Sequence, residues 1–138
     1  MNLSKTAKYA IRVVSYMALK NQELYSASHL IQALDVSDKY LKRILTVLSN
    51  HHIIKSVQGR YGGFRLNKST ENIHLYEIIN AVEDIDKYLG CVLGFAECSC
   101  ETPCSLHHNW MPIRQEFTAF LENTSISEVL KNPEVLKF

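Results

Sequence analysis

Apolar residues recur at intervals of three and four from the start of the chain: Leu3, Ala7, Ala10, Ile11, Val14, Met17 and Ala18. That spacing lays one apolar stripe along a helix running to about Lys20 and packs it on a core. Asn21 to Tyr25 is polar and turn-like, after which Ser26 or Ser28 caps a short helix carrying Ala27, Leu30, Ile31 and Leu34. Asp35 and Val36 interrupt it. Ser37 then serves as N-cap of a third helix, with Asp38 favourable in its first turn and Tyr40, Leu41, Ile44, Leu45 and Leu48 on its buried side. Two short helices separated by about three residues predict a helix-turn-helix.

The period then changes. Ile53, Ile54 and Val57 read as a strand, Gln58-Gly59-Arg60-Tyr61-Gly62-Gly63 supplies a turn, and Phe64 and Leu66 begin a return strand. A helix-turn-helix followed at once by a glycine-rich basic hairpin is a winged helix. Beyond a polar connection over 67–72, Leu75, Ile78, Ile79 and Val82 mark another amphipathic helix that ends in Glu83-Asp84-Ile85-Asp86. A cysteine-rich segment occupies residues 87–104. After it, Leu106, Trp110, Ile113, Phe117 and Phe120 step by four, three, four and three, the seam of a long helix meeting a partner helix, with Pro112 inside it. Ser125 and Glu128 have the spacing of a capping box for a short last helix. The expected fold class is mainly α with a small β-hairpin: a winged helix-turn-helix DNA-binding domain (1–83), a cysteine-rich sensor loop (84–104), and a dimerisation helix with a short C-terminal helix (105–138).

Composition adds limits. With 138 residues the chain is long enough to bury a core, and its 46% hydrophobic and 21% charged residues are those of a soluble globular protein without a membrane-spanning run. Met1 to Lys20 mixes cations among its apolar residues and is no secretory signal, so a cytoplasmic location is expected. The net charge of +1 hides an asymmetry: residues 1–66 hold ten Lys or Arg against three acids, a balance of +7, and the remainder five against eleven, a balance of −6. The first half therefore suits a polyanion.

On the third helix, Ser37, Lys39, Lys42, Arg43 and Thr46 remain outward once the buried positions are removed. The cations suit phosphates, Arg43 also a guanine edge, and Ser37 a base or a phosphate. In the wing, Arg60 is the candidate for insertion into the minor groove, with Gln58, Tyr61 and the backbone of Gly59 and Gly62 beside the sugar-phosphate chain. Double-stranded DNA is the expected partner.

All four cysteines, Cys91, Cys98, Cys100 and Cys104, lie within fourteen residues and are followed by His107 and His108. Such grouping in a cytosolic chain argues for metal or redox chemistry. Thiolates hold zinc or iron-sulfur clusters, and an imidazole completes either set. The spacing fits neither a paired Cys-x-x-Cys zinc ribbon nor a ferredoxin run. Three readings stand open: an iron-sulfur cluster on Cys91, Cys98 and Cys104 with a fourth ligand, a zinc or thiol-switch site, and inert cysteines.

Taken together, Met1-Asn2-Leu3-Ser4 with Tyr9-Ala10, Tyr40-Leu41, the wing Ser56-Val57-Gln58-Gly59-Arg60-Tyr61-Gly62-Gly63-Phe64, and Glu77-Ile78-Ile79-Asn80-Ala81-Val82 resemble the Rrf-type family of bacterial winged-helix transcription regulators. The resemblance covers nearly the whole chain, and the wing is its most specific part. It implies a homodimer, paired through the long helix, on a palindromic operator, with DNA binding that responds to an iron-sulfur cluster, nitric oxide or redox state, most often as a repressor. In cluster-binding members three cysteines and one further residue are ligands. This carries over onto Cys91, Cys98 and Cys104, with His107 as the fourth and a two-iron two-sulfur centre among the forms implied. Cys98 and Cys104 keep the family's five-residue gap, whereas six residues separate Cys91 from Cys98, one more than the pattern. Some members take an acidic ligand from the first helix, where this chain has Lys8. Cys100 has no counterpart and is either a substitute ligand or a resolving thiol.

The alternatives are a zinc-stabilised or thiol-switch regulator, a constitutive DNA-binding protein with a vestigial sensor, and a small redox enzyme using Cys98 and Cys100. The enzyme leaves the basic winged helix unexplained, and the sequence offers no nucleotide loop, nucleophile-base pair or small-molecule substrate site.

Overall fold

The computed structural model describes residues 2–137. Helix α1 (Lys5–Lys20) begins at Ser4, whose hydroxyl accepts from the Ala7 N–H at 3.1 Å, and ends at Asn21 in the left-handed region. For α2 (Ala27–Leu34) the cap is Ser26, which accepts from the His29 N–H at 3.1 Å. Asp35, also left-handed, turns the chain into α3 (Asp38–Asn50). Ser37 occupies the N-cap of α3 without a side-chain capping bond, so its hydroxyl stays directed outward for other partners.

Strands β1 (Ile54–Val57) and β2 (Gly63–Leu66) pair antiparallel, with Ile54 opposite Leu66 and Val57 opposite Gly63. Tyr25 adds a bridge on the far side of β2, exchanging backbone bonds with Phe64 at 2.9 and 2.8 Å. The hairpin is thereby tied to the start of the helix-turn-helix. Two wing positions require glycine: Gly59 has φ of 113°, and a methyl group on Gly62 would collide with the Val57 carbonyl oxygen. The fold is the expected winged helix, and its main core joins α1, α2, α3 and β1 through Val14, Leu30, Leu41, Leu45 and Ile54, all buried.

A second, smaller cluster joins Ala7 of α1, Ile79 of α4 (Leu75–Val82), Ile85 and Leu89 around α5 (Asp86–Leu89), and Leu121 of α6 (His107–Asn123). Helix α5 is a departure from the sequence reading, which ran the acidic stretch straight into the cysteine segment. Ile85 and Leu89 lie four apart and bury together, enough to hold one turn between polar neighbours.

Helix α6 runs through Pro112 and divides the expected seam. Phe117 packs into the second cluster, and the Trp110 indole N–H donates to the Gly90 carbonyl at 2.8 Å. Leu106, Ile113 and Phe120, spaced by seven, remain exposed. The reason is the neighbour α4: part of the apolar surface of α6 is used inside the same chain. The short α7 (Ile126–Val129) starts at Ser125, which accepts from the Glu128 N–H at 3.2 Å. No helix among the described residues is long and apolar enough to cross a membrane.

Candidate nucleic-acid interface and cysteine site

On α3 the core-facing side chains are fixed by the 3.6-residue repeat, so Ser37, Lys39, Lys42, Arg43 and Thr46 all come to the surface together. Lys42 pairs with Asp38 at 3.0 Å, an exposed pair one turn apart that solvent and a polyanion compete with easily. At the wing tip Gln58, Gly59, Arg60 and Tyr61 are exposed, and the Arg60 guanidinium stacks 5.6 Å from the centre of the Tyr61 ring.

Two further wing cations lie outside the DNA-contact set expected from the sequence. Lys55 and Arg65 lie directly opposite each other across the hairpin, both exposed, and share the wall of an open cavity of about 450 Å³. Like charges in register weaken a hairpin. The period-two alternation of Ile54, Lys55 and Ser56 would have found this face.

Charge pairing separates the halves. Among the described residues the ion pairs are Lys42–Asp38, Lys68–Glu77, Lys87–Glu83 and Lys131–Glu128. One of the ten cations in residues 1–66 is therefore paired, against three of the five beyond them. Apart from Lys42, the cations of the basic half have no ion-pair partner among the described residues.

The cysteine segment leaves α5 at Gly90 and re-enters regular structure at His107. Cys91, Cys98, Cys104 and His107 line one cavity of about 190 Å³. Cys98 is its hub: its thiol lies 3.4 Å from His107 Nδ1 and interacts with the Cys91 and Cys104 sulfurs. Burial pushes the Cys98 thiol pKa up, the two neighbouring sulfurs add to this, and Arg114 opposes it. Cys91 moves the other way, because the Phe95 N–H, with those of Leu93 and Gly94 and the Cys98 thiol, outweighs burial and favours its thiolate. His107 is 3% exposed, and its Nε2 lies 3.4 Å from the sulfur of exposed Cys100. The imidazole thus stands between Cys98 and Cys100.

The donor set is soft and suits zinc or an iron-sulfur centre in chemistry. No group of three or more His, Cys, Asp or Glu among the described residues is arranged around a metal-ion position. The candidate ligands share a cavity without forming a coordination sphere.

A further cluster also went unseen. Glu83 accepts from Lys87 Nζ at 2.6 Å and from the Tyr88 hydroxyl at 2.7 Å, and that hydroxyl accepts from the Ser4 N–H at 2.9 Å. Burial would raise the Glu83 pKa, but these donors outweigh it and hold the carboxyl below its ordinary range. The stem of the cysteine loop is tied by this cluster to the N-cap of α1. On the same end of α1, Thr6 shares a 2.6 Å hydrogen bond with Tyr40 of α3. Glu83 and Lys87 have the i,i+4 spacing that the sequence displays, whereas the Tyr88–Ser4 and Thr6–Tyr40 partners are distant in sequence and no local pattern announces them.

An unneutralised basic winged helix, with its outward α3 face and arginine-tipped wing, defines a DNA-binding transcription regulator. A family model described as Rrf2, iron-dependent transcriptional regulator, matches residues 3–132, and the chain belongs to the Rrf2 family. It is 28% identical over 138 residues to the HTH-type transcriptional regulator NsrR of Oceanobacillus iheyensis, covering 99% of this chain and 94% of that one. It is 28% identical over 137 residues to the HTH-type transcriptional regulator IscR of Xenorhabdus nematophila, covering 99% and 83%. The structure of CymR, the global cysteine regulator of B. subtilis, superposes with a TM-score of 0.74 at 23% identity over 94% of this chain and 95% of that one, which shows the shared fold. The family and these relatives are regulators, not enzymes.

Proposed function

We propose that this protein is a dimeric repressor whose operator binding is set by the state of its cysteine loop, with Cys91, Cys98, Cys104 and His107 holding an iron-sulfur centre. Residues 1–83 bind DNA, 84–104 sense, and 105–138 pair two copies. The observation that carries the reading is the single cavity walled by three thiols and a buried imidazole, hung from a stem that is bonded to α1. The family's iron-dependent description and the cysteine pattern of its cluster-binding members support it.

When bound, a cluster supplies redox- and nitric-oxide-sensitive chemistry. The chain's own residues do the rest. The backbone amides of its turn, that of Phe95 first, lower the Cys91 thiol pKa, and Arg114 sets a cation beside Cys98. A change in the loop reaches Gly90 and α5, then Tyr88, the Ser4 cap and α1, and through Thr6 and Tyr40 the first turn of α3. Leu106, Ile113 and Phe120 form the stripe left for a second copy, and a two-fold dimer presents two recognition helices to a palindromic operator.

A second reading is favoured by the placement of His107 between the Cys98 and Cys100 sulfurs: a thiol switch in which Cys100 is the exposed partner. Anaerobic purification, followed by visible absorbance and by iron, sulfide and zinc assays, separates the two. A coloured protein with iron and sulfide, whose DNA affinity changes when the cluster is removed, is the expected result. A colourless, metal-free protein whose affinity changes with thiol oxidation supports the switch. One with constant affinity overturns both.

A further inference from the structure

The basic charge of α1 belongs to neither the recognition helix nor the wing, yet it lies beside them. Lys5, Tyr9 and Arg12 follow one another at four and three residues and so share one face of α1. The Tyr9 ring is flanked by both cations, with Lys5 Nζ 5.7 Å and Arg12 Cζ 5.3 Å from its centre. Its edge meets the Tyr40 ring of α3 with centroids 5.8 Å apart. Tyr40 is in the first turn of the recognition helix and bonds Thr6 of the same α1 turn, so the two helices meet here.

Three observations suit this face to an anion. Neither Lys5 nor Arg12 has an acidic partner among the described residues, and Lys5 is exposed. The first turn of α1 contains no acid and begins with Lys5, although the positive end of the helix dipole favours the opposite charge there. The two cations are held on an aromatic platform, which lowers the entropy lost when they meet a fixed ligand.

We propose that Lys5 and Arg12 form a third DNA contact, a clamp on the backbone phosphates flanking the base pairs read by α3. The contact rests on the DNA-binding reading above and is sequence-independent. A non-specific probe therefore tests it directly: a fluorescent mixed-sequence duplex of about three helical turns, titrated with the full-length protein over a series of KCl concentrations.

Each phosphate contact adds about 0.9 to the slope of log affinity against log salt. Lys5→Gln and Arg12→Gln are each expected to flatten that slope by about one unit per bound copy and to weaken binding at fixed low salt by about three- to tenfold. Lys131→Gln removes the same charge at the far end of the chain and should leave the slope unchanged, and Arg12→Lys should restore most of it. Thermal unfolding of each variant identifies any loss of fold, and Lys5, being exposed, carries the test if Arg12→Gln fails to fold. Arg60→Ala separates the two readings. If Arg60→Ala weakens binding while Lys5→Gln keeps the full slope, the clamp is overturned and the DNA-binding reading survives. A wild-type protein with no salt-dependent binding overturns both.

Discussion

The recognition half and the cysteine half of this chain treat charge and apolar surface in opposite ways. Around α3 the apolar groups are closed into a core and nearly every cation is left without a counterion. Beyond residue 66 three of the five cations are paired with acids, Lys87 at the stem of the cysteine loop among them, while Val92, Leu93 and Phe95 stand in solvent, Phe95 at 61% exposure. A surface that must hold a fixed shape against a rigid duplex is set on buried leucines. The segment proposed as the sensor has few contacts to lose.

The largest expected effect breaks this contrast at its root. Leu45 is fully buried at the centre of α3, so Leu45→Ala should cost about 2–5 kcal/mol in urea unfolding. Phe95→Ser, in the loop, should change stability by less than about 0.5 kcal/mol. Comparable losses at the two sites would show the loop to be as tightly integrated as the core.

Tyr88→Phe comes next. It removes the hydroxyl that donates to Glu83 and accepts from the Ser4 N–H, and should cost about 1–2 kcal/mol, leaving a half-buried carboxylate with one donor fewer. Its more telling consequence concerns coupling. DNA affinity measured before and after cofactor removal or thiol oxidation should differ less in Tyr88→Phe than in the wild type. An unchanged difference would mean that the loop reaches α3 by another route.

How much of this was legible in the sequence follows from how local each signal is. The cap at Ser26, the break at Asp35, the N-cap at Ser37 and the glycines of the wing act over a few residues, and the winged helix was readable from them. The grouping of Cys91, Cys98, Cys104 and His107 was legible from their closeness in sequence, and the four line one cavity. What stayed hidden depends on packing between distant segments. The turn α5 forms because Ile85 and Leu89 find Ala7 and Leu121, and the division of the α6 seam depends on where α4 lies. Lys55 and Arg65 were hidden for a different reason: the hairpin was read for its tip and not for its two faces.

The smallest effect tests the same contrast without a mutation. Glu83 has its pKa lowered in the fold, so it binds a proton more readily when unfolded. Its contribution is therefore present above the unfolded value, about 4.3, and is lost as pH falls through the lower folded value. Protonation takes away the acceptor for Lys87 and Tyr88 and loosens α5 from the Ser4 cap. The only tryptophan, Trp110, bonds the Gly90 carbonyl at the end of α5 and so reports on that stem. Helical circular dichroism reports mainly on α1, α3 and α6. In an acid titration the Trp110 fluorescence should change at a higher pH than the circular dichroism, by a loss of stability smaller than that of Tyr88→Phe, and Glu83→Gln should remove the early step. Coincident transitions by the two probes would mean that the stem and the winged helix unfold as one unit, and the contrast between the halves would then be one of charge alone.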